Sequence, residues 1–184
     1  IWEKTHKYLQ VSGFLNYRLT GNFIDSAASQ IGHVPFNYRK QVWAKKYALP
    51  ALTFPIETEK LPKLAAPGET LGKITGAAST MTGIAKGVPV IACGSDKGCE
   101  TLGSGTLDEK MASLSFGTTA TIQTTSAKYF EAIRFMPAYP APIPGLYNSE
   151  VEIFRGFWMI TWFKKEFAQK EAEQAKLDGI PAEE

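Results

Sequence analysis

One short segment, residues 89–100, constrains the fold of this chain more than any other. It reads Pro-Val-Ile-Ala-Cys-Gly-Ser-Asp-Lys-Gly-Cys-Glu, and it predicts a short buried strand, a turn at Gly94 and a helix that opens on Asp96. This order places a carboxylate at the mouth of the fold. A carboxylate in that position can accept a proton from a bound molecule.

A second glycine turn follows farther along the chain. Residues 114–120 read Leu-Ser-Phe-Gly-Thr-Thr-Ala, which predicts a strand that is interrupted by Gly117 and by hydroxyl side chains. Backbone N–H groups together with the hydroxyls of Thr118 and Thr119 can bind an anion such as phosphate. A base beside a phosphate site is the least that an active site for phosphoryl transfer requires.

Each segment also has a purely structural interpretation. An aspartate at the start of a helix commonly acts as its N-cap and accepts hydrogen bonds from the first backbone N–H groups. Gly-Thr-Thr between two strands commonly forms a hairpin turn. The chain contains no Walker A sequence, G-x-x-x-x-G-K-[ST]. These residues by themselves therefore leave the catalytic and the structural interpretations open.

Further short motifs follow one another along most of the chain. They are Tyr17–Gly21 followed by Ile24–Ser29, Leu61–Gly72, Thr82–Ile84 with Gly87–Val90, Gly94–Asp96 with Leu102–Gly105, Leu114–Thr119, and Gly156 with Trp162 and Phe167. In this order and spacing they resemble the motifs of the FGGY family of carbohydrate kinases, which includes xylulokinase and glycerol kinase.

The resemblance implies an α/β fold of the ribonuclease H-like (actin-like ATPase) type. Residues 1–107 would form the C-terminal part of the first domain, which binds the sugar and carries the catalytic aspartate. Residues 108–184 would begin the second domain, with a phosphate-binding hairpin and the strand and helix that follow it. The site would lie in the cleft between the two domains. Family members are considerably longer and carry D-x-G-T-(S/T) and G-G-G-x-(K/R)-S motifs that are missing here, so we expect an internal fragment, inactive by itself.

The resemblance also implies a reaction, which is ATP-dependent phosphorylation of a sugar or polyol hydroxyl, as in xylulokinase. Asp96 would be the catalytic base and would contact the substrate together with Lys97. Gly117, Thr118 and Thr119 would bind the phosphates of ATP. Mg²⁺ is expected as a further cofactor, with its main carboxylate outside this chain.

One departure from the family pattern supports an alternative. Lys97 stands where the family usually carries a glutamine or asparagine that contacts the substrate. The alternative is therefore a non-catalytic relative that serves as a binding or oligomerisation module. Trp158 and Trp162 could form a sugar-stacking platform, but their spacing on one helix favours ordinary core and interface aromatics.

Composition limits the kinds of molecule that this chain is expected to bind. The 20 basic and 18 acidic residues give a net charge of +2, and no basic stripe indicates a nucleic-acid surface. No apolar run approaches the length of a membrane span. We therefore expect a small-molecule sugar or polyol substrate, no nucleic acid and no membrane. A truncated domain with exposed core surface tends to self-associate, which makes a homodimer the oligomer to test.

The histidines and cysteines indicate no metal site. His6 and His33 are far apart, and Cys93 and Cys99 have no partner ligands at the usual zinc spacing. Two cysteines are too few for a disulfide framework, so we expect reduced thiols and a cytoplasmic location.

The same patterns predict individual elements. Predicted helices cover residues 2–20, 26–31 with Asp25 as N-cap, 38–47, 76–82 and 97–102, with a long helix from Phe154 onward; predicted strands cover 88–93, 111–116, 119–125 and 146–153.

Overall fold

The computed structural model describes residues 1–32 and 34–181. This part of the chain contains ten strands and six α-helices. The strands are β1 Ile24–Ser26, β2 Phe36–Asn37, β3 Val42–Trp43, β4 Lys63–Ala65, β5 Thr70–Lys73, β6 Pro89–Ile91, β7 Ser113–Phe116, β8 Ala120–Ser126, β9 Tyr139–Pro140 and β10 Tyr147–Ile153. The helices are α1 Val11–Thr20, α2 Leu49–Thr53, α3 Gly76–Thr82, α4 Asp96–Gly103, α5 Trp158–Phe167 and α6 Gln169–Asp178.

The chain divides into two compact units. The first unit comprises Ile1–Ser113 and Thr124–Glu150, and the second comprises Leu114–Gln123 and Val151–Glu184. Strands β8 and β10 each run from one unit into the other. The domain boundary between residues 107 and 108 stays a prediction.

Small pairs of strands build most of the first unit. Strand β1 runs parallel to β4, β2 pairs antiparallel with β3, and β5 pairs antiparallel with β6. Strand β9 pairs antiparallel with the start of β10. Two clusters of buried side chains lie between these elements, one around Phe36 and one around Leu71. Alanine supplies most of the buried apolar side chains of the described residues, so the core is filled by small groups.

The first helix begins later than the sequence predicts. It covers Val11–Thr20 and ends at Gly21, whose φ of 77° is left-handed and whose N–H donates to the Tyr17 carbonyl at 2.7 Å. Apart from a 3₁₀ turn at Trp2–Lys4, residues before Val11 are not helical. The Tyr8 N–H instead donates to the Lys60 carbonyl at 2.7 Å. Because a distant segment bonds this backbone, the prediction of a helix over residues 2–20 is wrong before Val11.

The helix predicted over residues 38–47 is also wrong. Strands β2 and β3 form a hairpin there, with Phe36 opposite Trp43. The Phe36 ring is fully buried and meets the Trp43 ring edge-on at 5.7 Å. The Asn37 side chain accepts a hydrogen bond from the Lys40 N–H at 3.0 Å, a local turn that competes with a helix. Burial of one aromatic ring therefore decides the structure of this segment.

Several predicted elements are confirmed. Helix α3 covers Gly76–Thr82 and ends at the left-handed Gly83. Strands β7 and β8 are neighbours around the predicted turn at Gly117, and β10 lies beside β8. Strand β6 lies where a strand is predicted, but it is not buried, because it belongs to a two-stranded sheet with β5 and leaves Pro89 and Ile91 exposed.

The second unit ends in two helices rather than one. The predicted long helix is interrupted at Ala168, whose φ and ψ of −121° and 38° are not helical. No residue of α5, all of which is described, is buried, and its Trp158 and Trp162 side chains are both about half exposed. These tryptophans therefore lie outside the core of the described residues, and the prediction that they serve as interface aromatics stays a prediction.

Candidate active site

A short connection, residues 92–95, joins β6 to the helix that begins at Asp96, and we call it the Asp96 loop. The hydroxyl of Ser26, at the end of β1, donates to the Cys93 carbonyl. The Ser95 N–H donates to the Ala28 carbonyl at 3.0 Å. These two bonds hold the loop backbone on both sides of Gly94, so the start of α4 is fixed relative to β1.

A distant proline closes over the same loop. A Cβ atom placed on Gly94 would lie 2.7 Å from the Pro142 Cγ, and one placed on Gly98 would lie 3.2 Å from it. Real Cβ atoms essentially never approach to 2.7 Å. Glycine at residue 94 is therefore required by the close approach of Pro142, which belongs to the same compact unit.

Ser95, and not Asp96, is the N-cap of α4. The Ser95 Oγ accepts a hydrogen bond from the Gly98 N–H at 3.1 Å, the bond expected of an N-cap side chain. Asp96 is the first helical residue, its side chain is exposed, and its Oδ1 accepts from the Lys97 N–H at 2.8 Å. The N-cap interpretation of Asp96 is wrong, and its carboxylate remains accessible in the first turn of the helix, where negative charge is favoured.

Lys97 lies beside Asp96 but forms an ion pair farther along the helix. Its Nζ lies 3.0 Å from the Glu100 Oε2, three residues on. Both side chains are partly exposed, so this pair is a surface ion pair of small energetic weight.

Asp25 precedes Ser26, whose hydroxyl holds the Asp96 loop, and it has a role that its sequence context did not predict. Its carboxylate is 1% exposed and accepts four hydrogen bonds. The donors and donor–acceptor distances are Ser12 Oγ at 2.7 Å, Asn16 Nδ2 at 3.0 Å, the Ser26 N–H at 2.8 Å and Gln30 Nε2 at 3.0 Å. Asp25 lies in β1 and Ser26 caps the 3₁₀ turn that follows, so the predicted N-cap role of Asp25 is wrong. The one available signal was the spacing of Ser12 and Asn16, one turn apart in α1.

The second candidate element is the Gly117 loop, residues 117–119, which connects β7 to β8. The Gly117 N–H donates to the Thr119 carbonyl at 2.9 Å. The φ of Gly117 lies outside the left-handed region, and no atom of the described residues lies within 4 Å of the place a Cβ would take. Neither backbone conformation nor packing therefore requires glycine here. The Thr118 side chain is exposed and the Thr119 side chain is half-buried.

The Gly117 loop rests on the chain that leads into α5. The Gly156 N–H donates to the Thr118 carbonyl at 2.9 Å, and the Phe157 N–H donates to the Gly117 carbonyl at 3.0 Å. A Cβ on Gly156 would overlap the Gly117 carbonyl oxygen and lie 2.7 Å from that of Thr118. Gly156 thus supports the Gly117 loop because its backbone approaches the loop closely. The motif of Gly156, Trp162 and Phe167 did not predict this role.

Two further observations concern metals and membranes. Within residues 1–32 and 34–181, no three His, Cys, Asp or Glu side chains come together as metal ligands would. His33 lies outside the described residues. None of the described helices combines the length and apolar character needed to cross a membrane.

Comparison with known proteins identifies relatives that cover most of this chain. Residues 1–103 match the N-terminal domain of the FGGY family of carbohydrate kinases. YgcE, an uncharacterized sugar kinase of Escherichia coli (strain K12), is 30% identical over 173 residues, which are 94% of this chain and 35% of YgcE. The xylulose kinase of Haemophilus influenzae (strain ATCC 51907 / DSM 11121 / KW20 / Rd) is 31% identical over 118 residues, which are 62% of this chain and 23% of that protein.

A solved structure shares the fold. The crystal structure of xylulose kinase from Rhodospirillum rubrum superposes with a TM-score of 0.78 at 21% identity, over 95% of this chain and 35% of the solved chain. This likeness confirms the predicted α/β fold of the ribonuclease H-like (actin-like ATPase) type. The chain spans about a third of the length of YgcE and of the solved structure. Because the family match covers more than half of its residues, the chain belongs to the FGGY family of carbohydrate kinases.

Proposed function

We propose that this chain is part of an ATP-dependent kinase that phosphorylates a hydroxyl group of a sugar or polyol, with xylulose as the first substrate to test. The observation that supports the proposal is the accessible Asp96 carboxylate. Ser95 provides the cap of α4, so Asp96 is not needed as the N-cap of that helix. The relatives that carry the names sugar kinase and xylulose kinase support the same chemistry.

In the proposed reaction, Asp96 acts as the general base. Its Oδ2 accepts the proton of the sugar hydroxyl while that oxygen attacks phosphorus, and the bond between phosphorus and the leaving oxygen breaks. The bonds from Ser26 and to Ala28 keep the Asp96 loop in place, which positions the carboxylate before substrate arrives. Lys97 would donate from its ammonium group to a second substrate oxygen and exchange its contact with Glu100 for that one.

The Gly117 loop is the proposed phosphate site. When bound, ATP supplies the phosphoryl group and Mg²⁺ neutralises charge on its phosphates. The open space above Gly117 fits a phosphate, because an anion can approach the backbone where no Cβ intervenes. The Gly117 N–H is bonded to Thr119 in this conformation, so we assign the contacts first to the Thr118 N–H and to the hydroxyls of Thr118 and Thr119. We assign no residue of this chain to Mg²⁺.

The test is a kinase assay of the complete polypeptide that contains this chain. ADP release is measured with ATP, Mg²⁺ and a panel of ketoses and polyols, for the unmodified protein and for Asp96→Asn. General-base catalysis contributes roughly 10²–10⁴-fold, so kcat should fall by that factor in the variant. The matched control is Asp108→Asn, since Asp108 is also exposed and also accepts from a backbone N–H, that of Lys110 at 2.8 Å.

Two other outcomes would each change the assignment. Sugar-dependent turnover that is unchanged in Asp96→Asn would mean that another group is the base. A folded protein with no turnover on any sugar would favour the non-catalytic relative.

The homodimer stays a prediction. Light scattering of the purified protein measures its oligomeric state.

A further inference from the structure

Two thiols stand on either side of Asp96. Cys93 lies in the Asp96 loop, two residues after β6, and Cys99 lies in α4; their sulfur atoms are 3.4 Å apart. Both cysteines are free; Cys93 is exposed and Cys99 is half-buried. Asp96 is the middle residue of the segment from Cys93 to Cys99. Any bond between the two sulfurs would therefore close a ring around Asp96.

Hydrogen bonds of the folded backbone hold the two cysteines in place. The Cys93 carbonyl is held by the Ser26 hydroxyl, and the Cys99 N–H donates to the Ser95 carbonyl at 2.9 Å in the helix. A disulfide bond is about 2.05 Å long, so the sulfurs would approach by about 1.4 Å. A movement of that size is within reach of side-chain rotation with a small adjustment of the loop.

We propose that Cys93 and Cys99 form a redox-active dithiol, which a peroxide oxidises to a disulfide that encloses Asp96. The exposed Cys93 thiol would react with peroxide first, and the half-buried Cys99 would be the resolving thiol. Nothing in this step depends on the proposed kinase activity.

The chemistry proceeds in two balanced steps. The Cys93 thiolate attacks one oxygen of hydrogen peroxide, the O–O bond breaks, and the departing hydroxide takes up a proton to become water, which leaves a sulfenic acid on Cys93. The Cys99 sulfur then attacks the Cys93 sulfur, the S–O bond breaks, and the hydroxide leaves as water with the thiol proton of Cys99. Two thiols and one peroxide become one disulfide and two water molecules.

The surroundings of the two thiols agree with this division of roles. Burial, followed by the hydrogen bond with Cys93, raises the pKa of Cys99, and the Asp96 carboxylate contributes in the same direction. A thiol with a raised pKa is a poorer first nucleophile, because the thiolate is the reactive form. Access from solvent favours Cys93 for the same step.

The consequence for catalysis rests on the proposed function. A misplacement of about 1 Å in a catalytic group can cost on the order of 10² in rate. Closing the disulfide brings the two sulfurs about 1.4 Å closer, and the accompanying adjustment of the Asp96 loop would displace Asp96, so oxidation should lower kcat of the complete kinase by up to about 100-fold. The loss should be reversed by dithiothreitol and should be absent in Cys99→Ser.

The chemical proposal is tested first, on the complete polypeptide that contains this chain and without any kinase assay. The chain is treated with hydrogen peroxide, blocked with N-ethylmaleimide and digested with trypsin. Cleavage after Lys86, Lys97 and Lys110 places the cysteines on separate peptides, 87–97 and 98–110. The expected product is one linked pair of these peptides, lighter by two hydrogen atoms than their sum, formed in the monomer and lost with dithiothreitol.

Matched variants and an unfolded control complete the test. Cys99→Ser should accumulate a Cys93 sulfenic acid that dimedone traps, whereas Cys93→Ser should react more slowly. Urea-unfolded chain should cross-link more slowly, because its backbone no longer holds the sulfurs together. The proposal is overturned if peroxide leaves both thiols free, if the product links two copies of peptide 87–97 between chains, or if Cys93 proceeds to sulfinic acid without the cross-link. A cross-linked chain whose parent lacks kinase activity would refute the proposed function alone.

Discussion

The Asp96 loop and the Gly117 loop are both glycine turns after a strand, yet their surroundings differ. In the Asp96 loop the place of a Gly94 Cβ is taken by Pro142, 2.7 Å away. In the Gly117 loop the corresponding place is open, and support comes from the other side through the Gly156 N–H. Packing therefore explains glycine in the first loop and does not explain it in the second. An unexplained glycine beside open space is the feature expected where a ligand meets the backbone.

The largest expected effect on the free energy of unfolding concerns the buried Asp25. Asp25→Ala removes the acceptor of four hydrogen bonds, three of them from side chains of Ser12, Asn16 and Gln30. Because the buried Ser26 N–H and Gln30 amide would each lose an acceptor, at about 1–3 kcal/mol per buried donor, we expect the free energy of unfolding to fall by about 3 kcal/mol. Urea denaturation measures it. Asp108→Ala, an exposed aspartate of the same unit, is the control, with an expected change within about 0.5 kcal/mol. Equal effects of the two substitutions would mean that Asp25 is not an anchor.

The next prediction separates the two glycines directly. Gly94→Ala forces Pro142 to move and should cost about 1–3 kcal/mol in unfolding free energy, as overpacking does. Gly117→Ala places its Cβ in open space and should change the unfolding free energy by less than about 0.5 kcal/mol.

The same Gly117→Ala variant should raise the KM for ATP of the complete kinase, since its Cβ would occupy the proposed phosphate approach. Urea denaturation and ATP titration are therefore run in parallel. If Gly117→Ala were as destabilising as Gly94→Ala, the contrast between the two loops would disappear.

A smaller effect tests which residue caps α4. Ser95→Ala should lower the free energy of unfolding by about 1 kcal/mol, because the Gly98 N–H loses its acceptor. Ser95→Asn should restore most of it, since asparagine is an equally good N-cap. Asp96→Asn removes only the favourable charge at the start of the helix and should cost no more than about 0.5 kcal/mol in the same urea titration. A loss in Asp96→Asn as large as that in Ser95→Ala would assign the capping role to Asp96 after all.

The smallest expected effect concerns Lys97. Its ion pair with Glu100 is partly exposed, so Lys97→Gln should change the free energy of unfolding by no more than about 0.5 kcal/mol. In the complete kinase the same variant should change KM for the sugar more than kcat, because Lys97 is proposed to contact substrate. An unchanged KM across the sugar panel would argue against that contact.

Local signals predicted the elements whose ends are marked by glycine. Helix α3 ends at Gly83 as its sequence predicts, and strands β7 and β8 flank Gly117. The position of Asp96 at the start of α4 was also predicted. The sequence did not predict that Ser95, and not Asp96, is the N-cap. These features depend on backbone geometry within a few residues, which sequence spacing describes well.

Sequence by itself determined the family, through motifs in a fixed order, and the positions of the two glycine turns. Only the tertiary structure decided which polar groups are buried and which backbone segments meet. The bond from the Tyr8 N–H to the Lys60 carbonyl, the bond from the Ser26 hydroxyl to the Cys93 carbonyl and the contact of Gly94 with Pro142 all join residues that no local pattern connects. The physical reason is that burial and close approach are set by distant partners, and these outweigh the small intrinsic preferences of a short segment.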